Sequence, residues 1–500
     1  MCGIFVSIGN EISIDKCNEL SQKIKHRGPE STQVIIRDDF IIDGIKQRVY
    51  MCFHRLSIFD QSSSGMQPFN HDGAYLLING DIYNSTELTQ KYDIELSSYS
   101  DCEIVLQLYI KFNRDLKKVI ELLDGVFSIV LVDFKINTFF VSRDTHGVRS
   151  LYHSNNLFSS ELKSCPNGQQ FQPGTLQRNK AVFKLSELNC FNSIARGNNA
   201  YGVSSNFCHK KLLENSIAKR VHGDRKIACL LSGGLDSSIV AFLLSQKIKD
   251  LHTFSIGFEN SPDILAARKM SNFIKSNHHE VVVTPKQLLD FIPTVVEKIE
   301  SYDVTTVRAS TPMYFLCKYI STHHPEFKIL FSGEGSDECN GSYKYFDNAP
   351  CSPEFNKECN RLIKDIHFFD GLRADKCISG NGLESRIPFL DKEYVNSVLC
   401  DESKYEKHKI IEKYKLRNAF NNYIPDDILN RKKEAFSDGI SKTEKSWFDY
   451  ISDYVNENGL ISEKEWYKSI YDLHYSNDTI PYYWLPKWCG DLSNPSARTI

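Results

Sequence analysis

KIACLLSGGLDSSIVAFLLS, residues 226–245, decides the fold of the larger part of this chain. A short apolar run, KIACLL, meets a glycine-rich turn and then a longer apolar segment. It reads as a buried strand, a tight turn and a helix. The rhythm continues downstream: LHTFSIGF (251–258) is a strand, PDILAARKMSNFIK (262–275) a helix, HHEVVVT (278–284) a strand and FKILFS (327–332) another. This alternation predicts an α/β doubly wound parallel sheet with ligands at the C-terminal ends of its strands. Residues beyond about 355 read as a mostly helical C-terminal part.

Upstream the pattern changes. Residues 3–9, 33–44, 47–59 and 74–83 are short β-rich runs, 103–113 is helical, and 127–134 and 138–144 are strands again. Strands in blocks with helices set apart argue for a layered α+β domain. FNSIARGNNAYGVSSN (191–206) is polar and rich in Gly, Ser and Asn, as a linker is. The expected division is an N-terminal domain over 2–185, a linker over 186–206 and a C-terminal domain over 207–500.

The chain has 500 residues, 41% of them apolar, enough for more than one core. A net charge of −3 excludes a global attraction to nucleic acid, so an anionic ligand must be held by local donors. No run of about 18 apolar residues suggests a membrane span, and MCGIFVSIGNE lacks the marks of a signal peptide. The 15 cysteines are an odd number without Cys-x-x-Cys spacing, which points to reduced thiols and a cytoplasmic protein. His278-His279 and His323-His324 lack partners at ligand spacing and read as structural.

Two stretches carry chemistry. At the N-terminus, Cys2 stands between Met1 and the small Gly3. Removal of Met1 would leave a thiol and an α-amine on one residue, and an amine of pKa about 7.7–8.0 is a usable base near neutrality. Asn79-Gly80 ends the apolar run AYLLI, where a strand is expected to yield to a turn; a side-chain amide and a backbone N–H there suit an oxyanion hole. Arg55 could fork onto a carboxylate and Asp101 could pair with an ammonium, together a receptor for a free amino acid. Each alone is more often a surface charge.

Met-Cys-Gly-Ile-Phe, His26-Arg27-Gly28-Pro29, His54-Arg55-Leu56, Asn79-Gly80-Asp81-Ile82-Tyr83-Asn84, Leu123-Asp124-Gly125-Val126-Phe127, Arg143-Asp144 with Gly147-Val148-Arg149, and Ser160-Glu161 with Lys163 run nearly continuously through residues 2–165. This pattern resembles the class-II glutamine amidotransferases, which are N-terminal-nucleophile hydrolases. The resemblance implies an αββα fold and hydrolysis of glutamine to glutamate and ammonia. It implies Cys2 as nucleophile and base, and Asn79 with Gly80 as oxyanion hole. Arg55, Asp81 and Asp101 become glutamine ligands, with backbone at Leu56, Ser57, Ile58 and Phe59 lining the pocket. Two departures stand out: Asp81 where the family usually has Glu, and Ser150 where Pro is frequent.

In the second stretch, Ser232-Gly233-Gly234-Leu235-Asp236-Ser237-Ser238 lets backbone N–H groups approach phosphate at a helix N-terminus. No Gly-Lys-Ser/Thr follows, so it is not a Walker loop; it resembles the pyrophosphate loop of ATP pyrophosphatases. A second cluster, Ser332-Gly333-Glu334-Gly335-Ser336-Asp337-Glu338, follows strand FKILFS and faces the same crevice, with carboxylates suited to Mg²⁺. With residues 302–310, 382–391 and 431–439, Ser261-Pro262-Asp263, Glu412-Lys413, Leu416-Arg417, Trp484-Leu485-Pro486-Lys487-Trp488 and Pro495-Ser496-Ala497-Arg498, the stretch from about 226 onward is similar to the asparagine synthetase family. That resemblance implies ATP at Leu231, Ser232, Gly233, Gly234, Asp236, Ser237, Ser238, Ile256, Ser332 and Gly333. It implies Glu334 in forming or using an acyl-adenylate, Asp236 and Asp337 as Mg²⁺ ligands, and Thr305, Arg308 and Lys433 around the phosphates and the intermediate.

The expected reaction joins the halves: ATP activates the β-carboxylate of aspartate as an adenylate, and ammonia from glutamine displaces AMP. The expected partners are therefore glutamine, aspartate and ATP, with no nucleic acid and no membrane, and the resemblance leaves a homodimer open. An amidotransferase acting on another carboxylate would use the same parts, but the match at 302–312 and in the C-terminal block favours aspartate.

Overall fold

The computed structural model describes residues 1–185, 209–441, 444–475 and 484–489. The expected linker at 186–206 and the segment Pro495–Arg498 lie outside them. Two six-stranded antiparallel sheets form the N-terminal part. In the first, β1 (Gly3–Ile8) and β2 (Ser31–Ile42) both pair with β3 (Ile45–Arg55). In the second, β4 (Phe69–His71) and β6 (Gly125–Asp133) flank β5 (Ala74–Ile82), and β7 (Thr138–Arg143) follows β6. Five short strands complete the two sheets: β8 (Tyr152–Ser154), β9 (Leu157–Ser159), β10 (Gln169–Gln170), β11 (Thr175–Arg178) and β12 (Ala181–Lys184).

The period-2 alternation of strand side chains sets the layers. Ile4, Val6 and Ile8 of β1 meet Leu77, Val130 and Val132 of the second sheet in one buried core. Phe5 points the other way and packs with Cys17 and Leu20 of the helix Ile14–Gln22. Leu76 and Ile78 pack outward against Ile104, Leu108 and Val119 of the helices Glu103–Lys111 and Leu116–Leu122. The order is helix, sheet, sheet, helix. Each fully buried aliphatic side chain contributes about 1.5–3 kcal/mol to holding it.

Two expectations need correction. The strand expected over 47–59 ends at Arg55, because the following carbonyls turn toward the Arg55 guanidinium instead of a neighbouring strand. Asn79-Gly80 is not at a turn: β5 continues to Ile82, with Asn79 opposite Ser128 and Gly80 opposite Phe127. Position 80 admits only glycine, since a Cβ there would lie 2.3 Å from the Val126 carbonyl oxygen.

The C-terminal part carries the expected parallel sheet, in the order β15 (Asn277–Val282), β14 (His252–Gly257), β13 (Lys226–Leu230), β16 (Phe327–Phe331), β17 (Glu384–Arg386). The last strand interrupts the mostly helical stretch beyond 355, and its side chains are polar and buried. Twelve of the described cysteines are free, and Cys400 is disulfide-bonded, which departs from the expectation of reduced thiols throughout. Among the described residues, no helix is long and apolar enough to cross a membrane.

Candidate functional site

The alternation that places Ile4 and Leu77 in the sandwich core also turns Cys2 and Asn79 toward each other at its end. The Cys2 backbone N–H donates to Asn79 Oδ1 at 2.9 Å. Asn79 Nδ2 is buried and has no hydrogen-bond partner among the described residues. A buried unpaired donor costs about 1–3 kcal/mol, and a donor so placed beside a thiol is of the kind an oxyanion hole uses. The Leu56 N–H approaches Cys2 Sγ at 3.4 Å. Burial pushes the thiol pKa up, opposed by the nearby chain-terminal amine and the Leu56 N–H. Residue 1 is 1% exposed, and its amine donates to Leu383 O across the domain boundary at 3.0 Å. Burial lowers that amine to about 6.

The glutamine-ligand candidates divide. Arg55 donates to the carbonyls of Phe59, Asp60 and Ser62, so its guanidinium shapes the loop after β3. Ser57 N–H donates to Glu30, while Arg225 and Asp224 donate to the carbonyls of Ser57 and Ile58, clamping this strip onto the second domain. Asp101 accepts from the Ile82 N–H at 2.6 Å; burial and the nearby Asp81 charge raise it to about 7. Asp81 is drawn into a buried interdomain cluster, accepting from Arg149 at 2.5 Å and Arg386 at 2.7 Å. With the shorter Asp at this position, the carboxylate is committed to two guanidinium groups.

The second centre is a cavity at the C-terminal ends of β13, β14 and β16. Leu231, Ser232, Gly234, Asp236, Ser237, Ile256, Thr305, Ser332, Gly333, Glu334 and Lys433 line it, as the sequence suggests. Gly233 makes the turn at φ +73°, where a Cβ would lie 2.4 Å from Ala267 N. Gly234 caps the helix Leu235–Ser245, whose first N–H groups and dipole favour an anion. Ser238 Oγ and Ser332 Oγ are buried without hydrogen-bond partners among the described residues. Three of the expected residues do not line the cavity: Gly233 and Ser238, which belong to the turn and the helix behind it, and Arg308, which forks onto Glu463 of the helix Glu463–Asp472 and lies over the Phe448 ring.

Asp236 Oδ2 and Asp337 Oδ1 converge on the Lys413 ammonium at 2.6 and 2.5 Å. Asp337 Oδ2 also accepts from Lys433 at 2.6 Å. Burial would raise Asp337, but Lys413 and Lys433 outweigh it and hold the carboxyl well below its usual range. Among the described residues there is no cluster of three or more metal-ligating side chains. Two converging carboxylates instead fit a cation such as Mg²⁺, which takes one or two carboxylates and completes its shell with substrate phosphate and water. Lys413 escapes a sequence reading, since nothing in Glu412-Lys413 announces that this lysine, at φ +56°, reaches both carboxylates. Asp370, Arg373 and Tyr343 also line the cavity and lie outside the motifs. Burial, opposed by Arg373, raises Glu334 to about 7.

Leu56, Ile58, Val126 and Val148 of the first part join Leu213, Ile217, Leu231 and Ile329 of the second in one buried apolar cluster, against which Cys2 also packs. Around it runs an ionic seam. Arg27 binds Asp375 at 3.0 Å and Glu161 at 2.9 Å, and Lys376 binds Glu300 at 2.5 Å.

A cysteine at the mouth of a β-sandwich, with an unpaired amide donor beside it, and a separate glycine-turn cavity define a glutamine amidotransferase joined to a synthetase. The family model described as glutamine amidotransferase domain matches residues 1–193, and that described as asparagine synthase matches 209–356 and 350–480. A probable glutamine-hydrolyzing asparagine synthetase of Acanthamoeba polyphaga mimivirus is 36% identical, covering 100% of both chains. The glutamine-hydrolyzing asparagine synthetases of Gallus gallus and Rattus norvegicus are each 36% identical, covering 100% of this chain and 98% of theirs. This chain belongs to the glutamine-hydrolysing asparagine synthetases.

Proposed function

We propose that this enzyme makes asparagine from aspartate, glutamine and ATP, releasing glutamate, AMP and pyrophosphate. One observation carries the coupling of the two centres: the buried apolar cluster that runs from Cys2 to Leu231 on the cavity wall. Ammonia in neutral water is mostly protonated and no longer nucleophilic. An uncharged route through Leu56, Ile58, Val126 and Val148 would keep it reactive until it meets the activated acid.

The helix–sheet–sheet–helix order supports an N-terminal-nucleophile hydrolase. Once Met1 is removed, the α-amine of Cys2 takes the thiol proton as Sγ attacks the glutamine amide carbon. Asn79 Nδ2, and in our reading the Gly80 N–H, hold the oxyanion; the α-ammonium returns its proton to the amide nitrogen, and collapse expels ammonia and leaves a glutamyl thioester for water to cleave. Because Met1 is buried here, its removal belongs before the domains dock. Arg55, through the loop it holds, and Asp101 frame the glutamine, and Asp81, held by Arg149 and Arg386, braces them from behind.

At the second centre the β-carboxylate of aspartate attacks the α-phosphorus of ATP and pyrophosphate leaves. The resulting β-aspartyl adenylate supplies the leaving group that a free carboxylate lacks. The loop from Ser232 to Ser238 cradles the phosphates, Leu231 and Ile256 flank the adenine, and Lys413 and Lys433 offset the charge of the departing pyrophosphate. Asp236 and Asp337 would hold Mg²⁺, which neutralises phosphate charge when bound. Glu334 faces the reacting acyl group, Thr305 lines the same wall, and Arg308 acts from behind it through Glu463. The predominance of free thiols supports a cytoplasmic setting.

The test is an assay of purified protein with glutamine, aspartate, ATP and Mg²⁺. We expect asparagine, glutamate, AMP and pyrophosphate in equal amounts. Formation of ADP and phosphate, or aspartate left untouched with either nitrogen donor, would overturn the reading.

A further inference from the structure

Each carboxylate oxygen of Asp236 and Asp337 already accepts a hydrogen bond from this chain. Asp236 Oδ1 accepts from Ser336 Oγ at 2.7 Å, and Oδ2 accepts from Lys413 Nζ at 2.6 Å. Asp337 Oδ1 accepts from Lys413 Nζ and from Ser342 Oγ, each at 2.5 Å, and Oδ2 accepts from Lys433 Nζ at 2.6 Å. Lys413 bridges the two carboxylates with only 2% of its side chain exposed. Its backbone is fixed for that reach: Lys413 has φ +56° just ahead of the helix Tyr414–Ala419. Arg417 grips the same turn, donating to the Glu412 carbonyl at 2.9 Å and also to the Glu412 carboxylate and the Leu429 carbonyl.

The charges make this arrangement selective. Two carboxylates face two ammonium groups, Lys413 and Lys433, so the group is balanced. A bare divalent cation would add uncompensated positive charge to a largely buried place. It would also compete with Lys413 for the oxygen atoms it needs. Nucleotide phosphate reverses both effects. It carries the negative charge that balances the metal, and it offers the Lys413 ammonium other oxygen atoms. The flexible four-carbon stem of a lysine allows that transfer.

We propose that Lys413 is a built-in counter-ion that holds Asp236 and Asp337 against free divalent metal, so that the metal enters together with nucleotide phosphate and not before it. The inference rests on the reading of Asp236 and Asp337 as Mg²⁺ ligands, and it makes the order of binding a property of one side chain. Lys433 has a different part: it is 27% exposed, pairs with Asp337 and makes no ion pair with Asp236. Its loss frees one oxygen atom, whereas the loss of Lys413 frees one on each carboxylate.

The test is a titration of the full-length protein with Mn²⁺ in the absence of nucleotide, read as loss of the electron paramagnetic resonance signal of the free ion. Lys413→Met should bind Mn²⁺ about tenfold or more tightly than the wild type, because the two carboxylates then lack their shared ammonium. Lys433→Met should gain less. Equal affinity in the wild type and Lys413→Met, or an equal gain in Lys433→Met, would overturn the proposal and leave the metal-ligand reading standing. Adding Asp236→Asn to Lys413→Met should abolish the gain. A gain that persists in that double variant places the ion elsewhere and defeats the metal-ligand reading, and this inference with it. Thermal unfolding checks that each variant is folded. Should Lys413→Met not fold, Lys413→Gln, which keeps an N–H donor without the charge, takes its place and is judged by the same outcomes.

Discussion

Cys2 and Asn79 act as a pair whose geometry separates two tasks. Asn79 Oδ1 fixes the Cys2 backbone, and among the described residues Nδ2 has no partner, which in the proposed mechanism frees it for the transition state. We expect Cys2→Ala to abolish glutamine-dependent synthesis and to spare ammonium-dependent synthesis, read as asparagine formed with each donor. Asn79→Asp keeps the acceptor and loses the donor, so the glutaminase kcat should fall by about 10²–10³, or about 2.7–4 kcal/mol. Equal loss of both activities would contradict separable centres. At the other centre, Glu334→Ala should remove synthesis while glutaminase activity survives. These residues were legible because each sits in a compact motif. Lys413 was not, because its role is set by a fold that brings it to Asp236 from 177 positions away.

At the scale of elements, the turn from β13 into its helix is the most constrained piece of the second centre. Gly233 has a positive φ, and the chain of the helix Pro262–Ile274 passes against it. Gly233→Ala should therefore weaken ATP binding by tenfold or more and leave glutaminase activity intact, measured by the ATP KM and by glutamate release. The long alternating strands and the βα rhythm of the parallel sheet were readable because their apolar period is regular. The strands β8 to β12 were not, being only two to four residues long. Nor was β17, whose Glu384, Ser385 and Arg386 carry no apolar signal and are strand only because β16 pairs with them.

For the whole molecule, the ionic seam decides whether two centres work as one enzyme. Arg27→Ala would leave Glu161 and Asp375 buried without their guanidinium, at a cost of about 3–5 kcal/mol. Glutamate should then be released in excess of asparagine, as ammonia escapes through a loosened boundary. The seam is also acid-sensitive. Burial would raise both carboxyls, but Lys163 and Lys376 around Glu161, and Arg27 beside Asp375, hold them below the usual range. Their stabilisation is complete above the unfolded value of about 4 and is lost as pH falls through the lower folded values. Thermal unfolding followed from neutral pH downward should show Tm falling across that acidic window, with a smaller fall in Asp375→Asn.

The order of amino acids by itself determined the two kinds of domain and marked out Cys2, Asn79 and the turn from Ser232 to Ser238 as candidates, because each sits in a run of neighbouring residues that can be read together. Only tertiary structure decided that Asp81 is spent on two arginines, that Arg308 stops short of the cavity, and that Lys413, Asp370 and Arg373 enter it. Those outcomes depend on which distant side chains share one buried space, where a charge must find a partner, and neighbouring positions along the chain carry no record of that partner.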